Sequence, residues 1–260
     1  MTLWVRFDHN GTTGFGTLQD GRIQVHTGDM FGNPQPTGDA VDLAEIRLRS
    51  PCQPSKMLAL WNNFRAMGAR LKIEPPNEPL FFIKAASCYA DPDATVHRPP
   101  GYTGKVVFEG EIGVVIGRTC RQADATTAAA AIFGYTCIND LTAIEILTRD
   151  PSFPQWARAK SLDGFGPFGP AIATGLDPST LRVRTMVNGM PKQDYPVSDA
   201  VFGPVELVQL LSHDMTLYPG DIICLGTSIG AGALREASNV IEVSIDGIGT
   251  LRTTYLNAAD

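Results

Sequence analysis

Glu109 and Glu111 stand two residues apart in residues 105–116, an otherwise apolar segment that predicts a β-strand. Alternation about a sheet places Val107, Glu109, Glu111, Gly113 and Val115 on one face and Phe108, Ile112, Val114 and Ile116 on the other. Two carboxylates on one face repel each other and resist leaving water unless they are paired or bound to a cation. A solvated edge strand is the ordinary way to meet that requirement. Here the small and apolar neighbours Val107, Gly113 and Val115 favour a half-buried site instead. A hard divalent ion, Mg²⁺, Mn²⁺ or Ca²⁺, is the natural partner for all-oxygen donors, whereas zinc would call for His or Cys companions. Asp140 follows the predicted strand 134–138 and supplies a third carboxylate.

Two further groups suit a carboxylate-bearing ligand. In Gln155-Trp156-Ala157-Arg158-Ala159-Lys160-Ser161, read as alternating, Arg158 and Lys160 share a face; a pair of surface charges is the plainer reading. The Gly-rich stretch 225–232 offers backbone N–H groups and the Thr227 hydroxyl, without the lysine of a phosphate-binding loop.

The elements that must position these residues are mostly short strands. Residues 3–7 and 22–25 read as strands, with Asp20-Gly21 as a turn, and the polar Gly/Pro stretch 28–38 reads as a loop bounding a small N-terminal unit. Strands follow at 57–60 and 80–83, with a helix over 62–71 between them. A helix over 124–132 begins at Asp124, and 164–170 is a Gly/Pro-rich loop. The last part reads as a strand at 181–187, a helix at 204–212, and strands at 222–225, 240–245 and 250–255. The fold class is α+β and β-dominated, with a small β unit over 1–50 and a catalytic body over 51–260.

Composition limits the partners. Of 260 residues, 21 are Lys or Arg and 27 are Asp or Glu, a net charge of −6 that leaves no basic field for nucleic acid. No apolar run is long enough to span a bilayer. The N-terminus has no secretory pattern, and the five scattered cysteines, with no C-x-x-C pair, fit a reduced cytoplasm.

Taken in order, Phe82-Ile83-Lys84, residues 108–117, Gly134-Tyr135 through Asn139-Asp140, Ala159-Lys160-Ser161 with Asp163-Gly164-Phe165, Val187-Asn188-Gly189, residues 215–221 and Gly226-Thr227 resemble the fumarylacetoacetate hydrolase family. The resemblance covers most of the chain from about residue 57. It implies a mixed β-roll or sandwich in a homodimer, Mg²⁺ or Mn²⁺ on Glu109, Glu111 and Asp140, and catalytic roles for Lys160 and Thr227. Lys84, Arg158 and Arg65 are the expected substrate-binding residues. The implied chemistry is an enolate of a 2-oxo acid, stabilised by the cation and by Lys160.

Departures from the family pattern divide the functional reading. Hydrolytic members carry Asn-Tyr-x-x-His-x-x-Glu on a mobile helix, where His and Glu activate water. This chain reads Asn63-Phe64-Arg65-Ala66-Met67-Gly68-Ala69-Arg70, so Met67 and Arg70 take those places and neither is a base at neutral pH. Ile144 and Leu147 replace the usual Arg and Gln after the aspartate. The expectation is C–C cleavage of an acylpyruvate-type 2-oxo acid in catabolism of aromatic or related compounds, with decarboxylation or double-bond isomerisation of an unsaturated oxo-diacid nearly level with it. A catalytically inactive ligand-binding homologue is the remaining class, and the retained Glu109, Glu111, Asp140 and Lys160 argue against it.

Overall fold

The computed structural model describes residues 1–258. Strand makes up 45% of the chain and helix 18%, which places the fold in the β-dominated class expected from the sequence. A 12-stranded sheet forms the frame. It runs from Gln35–Asp42 through Arg22–Thr27, Thr12–Gln19 and Thr2–His9 to Gly166–Thr174, then through Ile132–Asn139, Gly110–Ile116, Ile222–Cys224 and Met57–Trp61 to the edge strand Leu80–Lys84. A five-stranded sheet, Met190–Pro196, Arg182–Val187, Ser238–Ile245, Gly249–Leu256 and Thr95–His97, packs against it. One apolar cluster joins the two, with Ile112 and Val114 from the large sheet and Val183, Val243 and Leu251 from the small one.

The N-terminal meander is closed by two-residue turns. Asn10-Gly11 and Asp20-Gly21 all have positive φ, the conformation that matches strand twist in a tight hairpin. Residues 28–38, read as a boundary loop, are only partly one: Gln35–Asp42 pairs back onto Arg22–Thr27 as the edge strand of this unit. Almost all of its side chains face water, so it carries no apolar alternation to betray it. Thr2–His9 pairs with Gly166–Thr174, Trp4 opposite Ile172, so the sheet continues without interruption into the body.

Two other expectations are corrected. The predicted single strand over 105–116 is two strands, Val106–Phe108 in a three-stranded sheet and Gly110–Ile116 in the large one, with Glu109 at the break. The Gly/Pro stretch over 164–170 is a loop only at residues 164–165, because Gly166–Thr174 is a largely buried strand of the large sheet. Its small residues allow close backbone approach: a Cβ at the facing Gly134 would lie 2.3 Å from the Ala173 carbonyl oxygen.

Helices serve the edges. Ala125–Ala131 starts where the Asp124 carboxylate accepts from Thr127 N at 2.7 Å, a side-chain cap. Pro204–Asp214 buries Leu207, Val208 and Leu211.

Candidate active site

Sheet register brings the carboxylates together. Gly110 lies opposite Asn139, and the Asp140 amide donates to the Glu109 carbonyl at 2.8 Å, so the ends of two neighbouring strands place Glu109 beside Asp140. Glu111, one step along, points to the same place, and one carboxylate oxygen from each of the three lies within 4.8 Å of the others. Gly226 follows the adjacent strand Ile222–Cys224, and its N–H donates to Glu111 Oε2 at 2.9 Å. Glycine is required there: φ is +88°, and a Cβ would lie 2.9 Å from the Leu60 carbonyl oxygen.

Two lysines enter the cluster. Lys160 Nζ bridges Glu109 Oε2 at 2.7 Å and Asp140 Oδ2 at 2.6 Å. Lys84, at the end of the edge strand, donates to the other Asp140 oxygen, to the Lys160 carbonyl and, at 3.2 Å, to the Phe165 carbonyl. Lys84, Glu111, Asp140 and Lys160 are all buried. Glu109 is the most open of the group, with 17% of its side chain exposed. Its other oxygen, Oε1, accepts from the Thr142 hydroxyl at 3.1 Å.

Three carboxylates against two ammonium groups leave one negative charge without a partner. Burial, reinforced by the Asp140 charge, pushes Glu111 well above the usual carboxylate range. Burial also raises Glu109, although Lys160 opposes it. Asp140 goes the other way, because Lys160 and Lys84 outweigh its burial and hold it below its ordinary value. For Lys160 burial is outweighed by Asp140 and Glu109, which keep the ammonium charged. A hard divalent cation fits this donor set. The oxygens are all carboxylate, the charge balance calls for a cation, and their spread suits metal–oxygen distances of about 2.0–2.6 Å.

The remaining expected residues fall in different places. Thr227 lies beside the cluster, its hydroxyl donating to the Gly110 carbonyl at 3.0 Å. Arg158 does not share a face with Lys160. Trp156–Lys160 is a helix, not an alternating segment, and two positions on a helix point well apart. Arg158 is exposed and bonds Gln155 Oε1 at 3.0 Å. Arg65, in the helix Arg65–Leu71, donates to the carbonyls of Asp199, Ala200 and Val201. In the same helix Met67 packs against the main apolar cluster, and Arg70 is exposed.

Sequence reasoning missed the residues that hold the peptide between the two glutamates. Gln193 Oε1 accepts from Gly110 N at 3.0 Å, and Tyr195 donates to the Gly110 carbonyl at 2.7 Å. Gln193 Nε2 also donates to Thr227 Oγ1 at 2.9 Å. Both side chains come from Met190–Pro196, in the other sheet, and nothing in the local sequence marks them beyond alternation in a short hairpin strand.

The family profile described as fumarylacetoacetate (FAA) hydrolase C-terminal matches residues 56–255, and one described as Rv2993c-like, N-terminal matches residues 3–51. An uncharacterised protein of Archaeoglobus fulgidus is 40% identical over 217 residues, 84% of this chain and 85% of that one. Oxaloacetate tautomerase YisK of Bacillus subtilis is 34% identical over 80% of this chain and 73% of its own length. The crystal structure of 2-hydroxyhepta-2,4-diene-1,7-dioate isomerase from Mycobacterium marinum superposes with a TM-score of 0.90 at 31% identity, covering 100% of both chains.

Proposed function

Because this chain belongs to the fumarylacetoacetate hydrolase family, we propose that it is a divalent-metal-dependent tautomerase or isomerase that moves a proton along the enol form of a 2-oxo acid. The observation that carries the reading is the three-carboxylate cluster with Lys160 lying across Glu109 and Asp140. Glu109, Glu111 and Asp140 would hold Mg²⁺ or Mn²⁺, with Ca²⁺ a third candidate, and the bound ion would supply positive charge beside the carboxylate and 2-oxo oxygens of the substrate.

The chain's own groups do the rest. Lys160 stays protonated, so it acts as fixed positive charge facing the oxygen on which negative charge develops, not as a base. Lys84 keeps Asp140 ionised and in place. Keto–enol interconversion moves one proton between C3 and the 2-oxygen and consumes no water. That economy suits a site where Met67 and Arg70 stand in place of a water-activating His and Glu. Similarity to the tautomerase and the isomerase named above supports the same choice.

C–C cleavage of an acylpyruvate, the leading expectation from sequence, is the second reading, since cleavage passes through the same enolate. Arg65 and Arg158 as substrate contacts, and assembly as a homodimer, remain part of the proposal. The test mixes magnesium-loaded protein with oxaloacetate, an unsaturated 2-oxo diacid and an acylpyruvate in deuterated water, and follows enol absorbance and C3 deuteration by NMR. Accelerated exchange with an intact carbon skeleton is expected, and Glu111→Gln should remove it. Two acid products would select cleavage; no exchange and no product would sink both readings.

A further inference from the structure

The helix Trp156–Lys160 carries two residues one turn apart on the same face. Lys160 reaches the carboxylates, and Trp156 joins an aromatic group at the edge of the large sheet. The Trp156 ring stacks on Phe82, with centroids 5.6 Å apart and planes at 18°, and lies 4.7 Å from Trp61. Phe82 belongs to both groups, because Lys160 Nζ sits 5.6 Å from the centre of its ring.

Register explains the continuity. Met57 pairs with Lys84, Ala59 with Phe82 and Trp61 with Leu80, so Lys84, Phe82 and Trp61 rise from one face of the sheet in succession. Phe82 also lines a hollow of about 600 Å³, together with Phe81, Ile83, Phe153, Trp156 and Arg158, and it is the residue that this hollow shares with the surroundings of Lys160. Phe153 is 69% exposed and Ile83 45%, an apolar surface that is costly to leave in water.

We propose that this aromatic wall is the subsite for a flat, unsaturated or aryl group carried at C4 of the 2-oxo acid, and that Trp156 and Phe82 set specificity for such substrates. The proposal rests on the reading of the carboxylate cluster as the site for the 2-oxo acid head. A head group at Lys160 leaves the next atoms of the substrate beside Phe82, and a planar π system gains on these rings what a methyl group cannot.

The experiment compares binding of 2,4-dioxopentanoate, with a methyl at C4, and 4-phenyl-2,4-dioxobutanoate to the magnesium-loaded full chain by calorimetry. The wild type and Trp156→Leu are measured, with molar mass by light scattering as the control. The wild type is expected to bind the phenyl compound about tenfold more tightly than the methyl one. Trp156→Leu should remove that preference while methyl-compound binding holds within about twofold, and Phe82→Leu should weaken phenyl binding in the same direction. Equal wild-type affinity for the two compounds overturns the wall alone. So does a Trp156→Leu variant that keeps the preference, or one that changes molar mass without changing it, which would assign the wall to a second copy of the chain. Failure of both compounds to bind overturns the reading of the carboxylate site and the wall with it.

Discussion

Gln193 holds Gly110 from the opposite sheet: its Oε1 accepts the Gly110 N–H at 3.0 Å, in the one peptide segment that separates Glu109 from Glu111. The same amide ties down Thr227, while Tyr195 and Thr227 both donate to the Gly110 carbonyl. The ladder is broken at Glu109, and side chains take over the hydrogen bonds at Gly110 that regular pairing would otherwise supply. No side chain fits at Gly110, since a Cβ there would lie 2.0 Å from Thr185 Oγ1.

Loss of this clamp should be felt by the carboxylates although Gln193 touches none of them. Gln193→Ala leaves the buried Gly110 N–H unpaired, which should cost about 1–3 kcal/mol of stability. It should also weaken magnesium binding by about 10–100-fold, as loss of groups that orient ligands does. Gln193→Glu keeps the Oε1 acceptor and should recover part of the affinity. Urea unfolding and calorimetric magnesium titration check both values, and an Ala variant with unchanged magnesium affinity would count against a positioning role.

The carboxylates were legible in the sequence because they stand in short-range patterns: Glu109 and Glu111 on a strand-like segment, and Asp140 at a strand end. The family was legible for the same reason, and its profile matches residues 56–255. The shared face of Arg158 and Lys160 was misread because a five-residue helix is too short to show a helical period, so alternation was read where a turn exists. Gln193 and Tyr195 were invisible because their meaning lies in a contact with Gly110 across more than eighty residues, between two sheets. Gln35–Asp42 escaped for the opposite reason, an exposed edge strand whose side chains carry no burial pattern at all.

Stability of the metal-free protein should fall as pH rises. Burial, then the Asp140 charge, lifts Glu111 well above its ordinary value of 4.5, and burial lifts Glu109 as well. The folded chain therefore holds protons that the unfolded chain has released above 4.5. The contribution is complete below that value and is lost as pH climbs through the raised folded values. Asp140 has the opposite sign: its depressed carboxyl lends stability that is lost only as pH falls below 3.8. Denaturation in a chelating buffer over about pH 5 to 8 should show the decline. Glu111→Gln should flatten it, and magnesium should abolish it while releasing protons. A metal-free protein whose stability rose over that range would contradict the buried-carboxyl account.

Removing Lys160 separates its part in the metal-free chain from the part proposed for it beside a bound ion. In the metal-free form its ammonium lies 2.7 Å from Glu109 and 2.6 Å from Asp140 and is the direct bridge between them. Lys160→Met keeps most of the side-chain volume but leaves the buried Asp140 and the part-buried Glu109 carboxyls facing each other, a loss of about 3 kcal/mol, the low end for breaking a buried pair. A divalent ion on the same oxygens should restore most of that stability, because it replaces the charge that was removed. The variant should therefore show a larger thermal shift on adding magnesium than the wild type does, while C3 proton exchange on oxaloacetate is lost in either form. Equal magnesium shifts in variant and wild type would mean that the ammonium and the ion do not answer to the same carboxylates.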